Sequence, residues 1–275
     1  MHRTYHFQVD NGLFVAEYYL KKDYKKITTE DLRSNINLLA GKLHDYNKLS
    51  TLSYSSHLNS ALTQGKVEER EERIKGQLML LLNSIGEDRT CIICGEKRVN
   101  TRAELPYSSL IYGTPSPSNF MNRGNNLRTV DICPVCLFLS LVGFLNTQKI
   151  SYPFLYISDS DEFMRDITED IQQKIGRSIM LDIKSKDMAQ HLIPTLTELM
   201  DMKESEYEGL NYINLIQYAN AKKNQYKESV ISKKNLNFIR EVKYEGLINE
   251  FYNLKLFKEI MMGNNLYNYL AKNKI

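Results

Sequence analysis

Four cysteines are the residues whose type and spacing point most directly to chemistry. Cys91 and Cys94 form one C-x-x-C pair, Cys133 and Cys136 form a second, and the 275-residue chain has no other cysteine. Two thiolates three residues apart on a tight turn can face one ion at about 2.3 Å, and two such turns close a tetrahedron. Gly95 follows the second cysteine, where the backbone of such a turn tends to adopt positive φ. Pro134 fixes φ directly after Cys133 and opens an apolar stretch of helical character. The spacing predicts one structural zinc ion held by Cys91, Cys94, Cys133 and Cys136. With sulfur at all four positions no site remains for water, so a catalytic role for this metal is not expected. The competing readings are four buried free thiols and a redox dithiol, and exchange chemistry would not need two matched pairs.

The segment between the pairs carries contact chemistry. Its cations Lys97, Arg98, Arg102, Arg123 and Arg128 outnumber its carboxylates. Asn119, Asn122, Asn125 and Asn126 offer amides that can reach phosphates or base edges, and Phe120, Tyr107 and Tyr112 offer rings that stack on bases or pack inward. Gly113, Pro115, Pro117 and Gly124 favour a shaped loop over a helix. The candidate nucleic-acid contacts are Lys97, Arg98, Arg102, Asn119, Phe120, Asn122, Arg123 and Arg128. A solvated loop stapled by metal is the plainer alternative. Paired C-x-x-C motifs also frame zinc-stapled HNH nucleases, but that chemistry needs a histidine base. The histidines here are His2, His6, His44, His57 and His191, none of them in the segment.

The elements that must position these residues are mostly helical. A short helix is expected after Asp10-Asn11-Gly12-Leu13, ending near Lys21. Thr28 and Asp31 have capping-box spacing, and Leu32, Ile36, Leu39 and Leu43 recur on one face behind them. A second amphipathic helix is expected from about Val67 to Ile85, with Ile74, Leu78, Leu81, Leu82 and Ile85 inward and the Glu68–Arg73 charge run in water. Beyond the cysteines come a helix to about Leu145, a strand over 152–157, and a helix capped by Asp159 with Phe163, Ile167, Ile171 and Ile175 aligned. Further on, a helix is expected over 186–200, a strand over 212–218, and helices over 233–242, 245–262 and at the terminus. Leu247, Phe251, Leu254 and Met261 make one apolar stripe in the last region. Asp159 and Asp161 suit helix capping better than metal binding.

This pattern predicts an α+β fold, predominantly helical, with a small β-sheet and an inserted four-cysteine zinc-finger-like loop. Three stretches emerge: 1–88, mixed and helical; 89–147, the zinc-binding insertion and its following helix; and 148–275, expected to form one compact unit with the first. Hydrophobic residues make up 42% and charged residues 25%, which excludes a disordered chain. The net charge of +3 is too small to imply a polyanion partner by itself. Positive charge nevertheless gathers in the C-terminal region, where eleven Lys and Arg from Lys222 onward face five Glu. The longest apolar run, Ile132 to Leu145, is short of the roughly 20 residues that span a bilayer, and no secretion signal opens the chain. A cytoplasmic protein without a membrane partner is expected. Walker, G-x-G-x-x-G, G-x-S-x-G and H-E-x-x-H motifs are missing, which leans away from an enzyme.

The sequence resembles the CXXC–CXXC family of CRISPR-associated proteins, the large-subunit type of type I-B and I-A Cascade complexes. The residues that carry the resemblance are Cys91-Ile92-Ile93-Cys94-Gly95, Leu105-Pro106, Asn119-Phe120 and Cys133-Pro134-Val135-Cys136-Leu137. Val9-Asp10-Asn11-Gly12-Leu13 and Ile216-Gln217-Tyr218-Ala219-Asn220 add to it. The resemblance implies a non-catalytic subunit of a crRNA-guided surveillance complex in antiviral defence. Its partners would be crRNA, the Cascade backbone subunits, target double-stranded DNA and a separate helicase-nuclease. In such systems base pairing reads the target while protein reads a short duplex motif.

Overall fold

A computed structural model describes residues 1–49, 66, 69–83, 88–91, 93–99, 132–149, 153–176, 207, 209–220, 224–247, 256, 259 and 264–273. The expected helix over 186–200 falls outside them, as does most of the expected helix over 245–262. Two compact units emerge: Met1–Thr147 with Ile171–Leu181, and Gln148–Asp170 with Asp182–Ile275.

The first unit is built on helix α1 (Phe7–Leu20) packed along α5 (Pro134–Val142). The short helix α2 (Thr29–Ser34) and helix α3 (Ile36–Leu49) follow α1, and α3 packs on α4 (Arg70–Asn83), which reaches α5. The capping box forms as its spacing predicts: the Thr28 hydroxyl accepts from the Asp31 N–H while the Asp31 carboxylate accepts from the Thr28 N–H. Leu32, Ile36, Leu39 and Leu43 are all buried, although the chain breaks at Asn35 into two helices. Ile74, Leu78, Leu81 and Leu82 of α4 are buried as well, and Glu69, Glu71 and Glu72 face water.

The start of α1 differs from expectation. Asp10, Asn11 and Gly12 lie within the helix, and Asp10 and Asn11 are fully buried. The Asp10 carboxylate turns back on the preceding segment, accepting from the Thr4 N–H (2.8 Å), the Thr4 hydroxyl (2.8 Å), the Tyr5 N–H (3.1 Å) and the Arg3 Nε (3.1 Å). A buried carboxylate with four donors is satisfied, so its polarity does not betray a surface position. Asn11 opens a second buried network: the Asn146 amide donates to Asn11 Oδ1 at 3.0 Å, the Gln172 amide to Asn146 Oδ1 at 2.8 Å, and the Tyr19 hydroxyl to Gln172 Oε1 at 2.8 Å.

Two glycines allow α1 and α5 to touch through their backbones. A Cβ at Gly12 would stand 1.8 Å from the Leu139 carbonyl oxygen, and one at Gly143, in the 3-10 turn Gly143–Asn146 after α5, would stand 2.1 Å from the Gln8 carbonyl oxygen.

In the second unit β3 (Gln148–Lys149), β4 (Pro153–Ser158), β5 (Tyr212–Asn220) and β6 (Asn224–Ser232) form an antiparallel sheet in that order. Tyr156 pairs with Leu215 and Ser158 with Ile213, while Ile213 pairs with Ile231. The first part of helix α6 (Asp161–Gly176), up to Asp170, covers that face: Phe163 stacks edge-on to Tyr156 at 6.3 Å and to Tyr207 at 5.7 Å. Phe163, Ile167, Ile171 and Ile175 are buried, as their spacing predicts. Helices α7 (Lys233–Tyr244) and α8 (Leu266–Asn273) follow, joined by an edge-on contact of Phe238 with Tyr267. Leu247, expected in the core, is 48% exposed, directly after Gly246 at φ +71°; the rest of that stripe lies outside the described residues.

The cap of α6 is Ser160, whose hydroxyl accepts from the Phe163 N–H. Asp159 instead clips β4 to the start of β5, accepting from the Asn211 N–H (3.0 Å), the Asn211 amide (2.8 Å) and the Tyr212 N–H (3.4 Å). Partial burial alone would raise its pKa, but these donors outweigh it and hold the carboxyl below its ordinary value. The architecture is thus α+β, helix-rich, with a small antiparallel sheet and a four-cysteine cluster. No helix among the described residues is long and apolar enough to cross a membrane.

Two predictions follow from this packing. Gly12→Ala and Gly143→Ala should each cost about 3 kcal/mol or more, since backbone rather than flexible side chain blocks the methyl group. Gly76→Ala, on α4 with nothing within 4 Å, should instead gain up to about 1 kcal/mol. Urea unfolding that ranks the three alike would refute the close approach. A group with a depressed folded pKa stabilises above its unfolded pKa, near 3.9 for Asp, and loses that contribution as pH falls through the folded value. Asp159→Asn should therefore be less stable than wild type at neutral pH, and the difference should vanish in acid. A difference that persists in acid would show that the carboxylate's charge is not what the clip uses.

Candidate metal centre

The first pair sits at a hairpin tip. Strands β1 (Asp88–Thr90) and β2 (Lys97–Val99) pair antiparallel with Thr90 opposite Lys97. The Cys91 N–H continues the ladder to the Glu96 carbonyl at 2.9 Å, and the Gly95 N–H closes the turn onto the Cys91 carbonyl at 2.8 Å. Gly95 takes φ +72°, the conformation its position predicts. The second pair opens a helix. Cys133 is the N-cap of α5, Pro134 occupies the first turn, and the Cys133 sulfur accepts from the Cys136 N–H at 3.4 Å. Cys136 thus lies in the first turn, where backbone N–H groups and the helix dipole favour negative charge.

Hairpin and helix bring the four sulfurs together. All lie within 4.8 Å of one another, none is in a disulfide, and Cys94 Sγ is 3.8 Å from Cys133 Sγ. A tetrahedron with 2.3 Å metal–sulfur bonds has edges of about 3.8 Å, so the donor set fits one soft divalent cation. The Cys133 N–H also donates to Cys91 Sγ at 3.3 Å, a cross-pair bond that supports a thiolate. Cys91, Cys133 and Cys136 are buried and Cys94 is half-buried.

Four sulfurs this close cannot all ionise on their own. Contacts with Cys133, Cys136 and Cys94 push the Cys91 thiol down, and contacts with Cys133 and Cys136 bring Cys94 down to about 7. The Cys136 thiol is pushed up by Cys133, Cys91 and Cys94. Cys133 also rises, its contact with Cys136 outweighed by those with Cys91 and Cys94. A divalent cation at the centre removes this conflict, because each sulfur then faces a positive charge.

Two histidines stand beside the cluster, and nothing in the sequence signalled either. His2 Nε2 lies 3.3 Å from the Cys94 carbonyl and its Nδ1 lies 3.5 Å from a Glu96 carboxylate oxygen, so the N-terminal segment rests on the hairpin tip. Burial lowers the His6 pKa to about 4, with Asp10 and Cys91 opposing, which keeps this imidazole neutral at physiological pH. A separation of 92 residues between His2 and Cys94 leaves no local pattern to read.

Among the candidate nucleic-acid contacts, Lys97 is exposed at the start of β2 and Arg98 lies within that strand, opposite Arg89. Arg102, Asn119, Phe120, Asn122, Arg123 and Arg128 lie outside the described residues. Comparison of the chain with protein-family models, with curated proteins and with solved structures finds no match.

Elemental analysis of the freshly purified protein should find one divalent transition metal per chain. Cys94→Ser and Cys133→Ser should lose that metal and several kcal/mol of stability, a share of the roughly 10–16 kcal/mol that structural metal sites contribute. Metal-free wild-type protein with the same melting curve as the metal-loaded protein would remove the centre from the stability account.

Proposed function

We propose that the cluster holds a structural zinc ion and that the protein is a non-catalytic, nucleic-acid-binding subunit of a type I CRISPR crRNA-guided surveillance complex. In this reading it contributes to protospacer-adjacent-motif recognition and target DNA binding. The observation that carries the proposal is the sulfur tetrahedron, which draws together two chain positions 39 residues apart in sequence. The sequence between those positions holds Arg98, Arg102, Arg123 and Arg128 with Asn119 and Asn122. Arg and Asn are the side chains suited to bidentate contacts with guanine and adenine edges, and a rigid clip lowers the entropy of presenting them. Zinc is the natural occupant because four thiolates in a tetrahedron suit a d¹⁰ ion with no redox chemistry of its own.

The resemblance of both cysteine motifs, and of Val9–Leu13 and Ile216–Asn220, to the CXXC–CXXC family supplies the biological setting. The partners proposed on that basis are crRNA, the Cascade backbone subunits, target duplex DNA and a separate helicase-nuclease, in the cytoplasm. Affinity purification of the protein from its native cell, followed by sequencing of bound RNA, tests the reading. Repeat-spacer RNA is the expected catch; its absence from a soluble, zinc-loaded preparation would refute membership in such a complex. Reversing Arg98, Arg102 and Arg123 to Glu should weaken duplex binding by the assembled complex and flatten its salt dependence. Unchanged affinity would leave zinc with a folding role only.

A further inference from the structure

The first unit carries a second cationic surface, away from the cysteines in sequence. Helix α1 ends at Lys21, which adopts φ +51°, a left-handed conformation more usual for glycine. Its ammonium lies 4.0 Å from the centre of the Tyr18 ring. Tyr18 meets Tyr19 edge-on at 5.1 Å, and the Lys42 ammonium from α3 lies 5.5 Å from the Tyr19 ring. The four side chains form one unbroken ladder, cation–ring–ring–cation, across two helices. Tyr19 is anchored beneath by its hydroxyl bond to Gln172, so the ladder stands on the buried network and is rigid in its middle. Lys25 and Lys26 follow within one turn of chain, both exposed.

The ladder itself presents two cations, Lys21 and Lys42. Lys21 and Lys42 make no ion pair among the described residues. In the chain after Lys21, Asp31 pairs with Lys22 at 2.6 Å and Glu30 with Arg33, while Asp23, among the described residues, accepts only from the Lys25 N–H. Burial, Tyr18 and Asp45 push the Tyr19 phenol up, so Asp45 is one counter-charge near the ladder, and Glu71, whose carboxylate lies 3.4 Å from the Cβ position of Gly41 beside Lys42, is another. A lipid surface would call for a broad apolar face, whereas here an exposed and a half-buried lysine flank two half-buried rings. Lysines that track phosphates beside an aromatic platform are the pattern of single-stranded nucleic-acid binding.

We infer that Lys21, Tyr18, Tyr19 and Lys42 form a binding surface for the backbone of a single-stranded nucleic acid. The lysines take phosphates, and the Tyr18 ring packs against a base or sugar between them. The inference uses none of the residues on which the surveillance-complex reading rests, and it stands if that reading fails.

The test is a fluorescence-anisotropy titration of the full chain with a labelled 20-residue oligothymidylate at two salt concentrations. Wild-type protein should bind, with affinity that falls as salt rises. Lys21→Gln with Lys42→Gln should bind about tenfold more weakly, and the slope of log affinity against log salt should shrink by about 1.4, the loss of two single-strand phosphate contacts. Tyr18→Ala should weaken binding with the slope unchanged, and Lys21→Arg with Lys42→Arg should restore affinity. Circular dichroism melting confirms folding of each variant. The inference is overturned if wild-type protein does not bind or if the double glutamine variant binds like wild type. It is equally overturned if these lysines govern binding to phosphatidylserine vesicles and not to the oligonucleotide. Loss of binding in Arg98→Glu/Arg102→Glu/Arg123→Glu with the lysine variant unaffected would place the contact in the inter-cysteine segment instead.

Discussion

Four sulfurs within 4.8 Å of one another impose the tightest constraint on the first unit. They tie a hairpin too short to stand alone to the N-terminus of α5. A two-stranded ribbon of three residues per strand has little apolar surface to bury and is marginal in water. A cation held by the four sulfurs would cross-link it to α5, and the N-terminal segment also rests on its tip through His2. The same helix that supplies Cys133 and Cys136 at its start packs along α1 through backbone contact at Gly12 and Gly143. Displacement of α5 would therefore disturb both the sulfur geometry and the helix–helix seam. A metal bound there would be coupled to core packing through one nine-residue helix.

That coupling explains which features could be read from the sequence. Local rules with fixed spacing were legible. The two C-x-x-C turns, the positive φ at Gly95, the proline after Cys133 and the Thr28–Asp31 capping box each depend on atoms within four residues. Periodic burial was legible too, at Leu32–Leu43, Ile74–Leu82 and Phe163–Ile175, because one face of a helix repeats with the helix itself. The strand from Tyr212 to Asn220 matched its alternation.

Features set by distant partners were not legible. Asp10 and Asn11 look like turn residues, yet both are fully buried in α1 because Arg3, Thr4 and Tyr5 satisfy one and Asn146 the other. Asp159 looks like a helix cap, but Asn211 competes for it and leaves the role to Ser160. Strand β6 has no clear alternation in sequence, because Asn224–Ser232 mixes charged and polar residues; pairing along the whole length of β5 makes it a strand. Leu247 carries the periodicity of a core residue, but Gly246 at positive φ takes it out of the helical register.

The surfaces available to a polyanion differ in how they are held. At the cysteine hairpin, Lys97 is presented by a strand that leads out of the sulfur cluster, so a contact there would depend on any metal the cluster holds. At the end of α1, Lys21 and Lys42 are presented by helices that the hydrophobic core already fixes, with Tyr19 bound through Gln172 to a network of buried amides. Binding through the second surface should survive chelation for as long as α1 and α3 stay packed, whereas binding through the first should not. Chelator sensitivity therefore separates the two surfaces without a mutation. If all nucleic-acid affinity disappears on metal removal while the α1 and α3 helices persist, the lysine–tyrosine ladder cannot be the principal contact. Affinity retained under the same conditions would show that the core-held ladder engages a strand without the metal-braced segment.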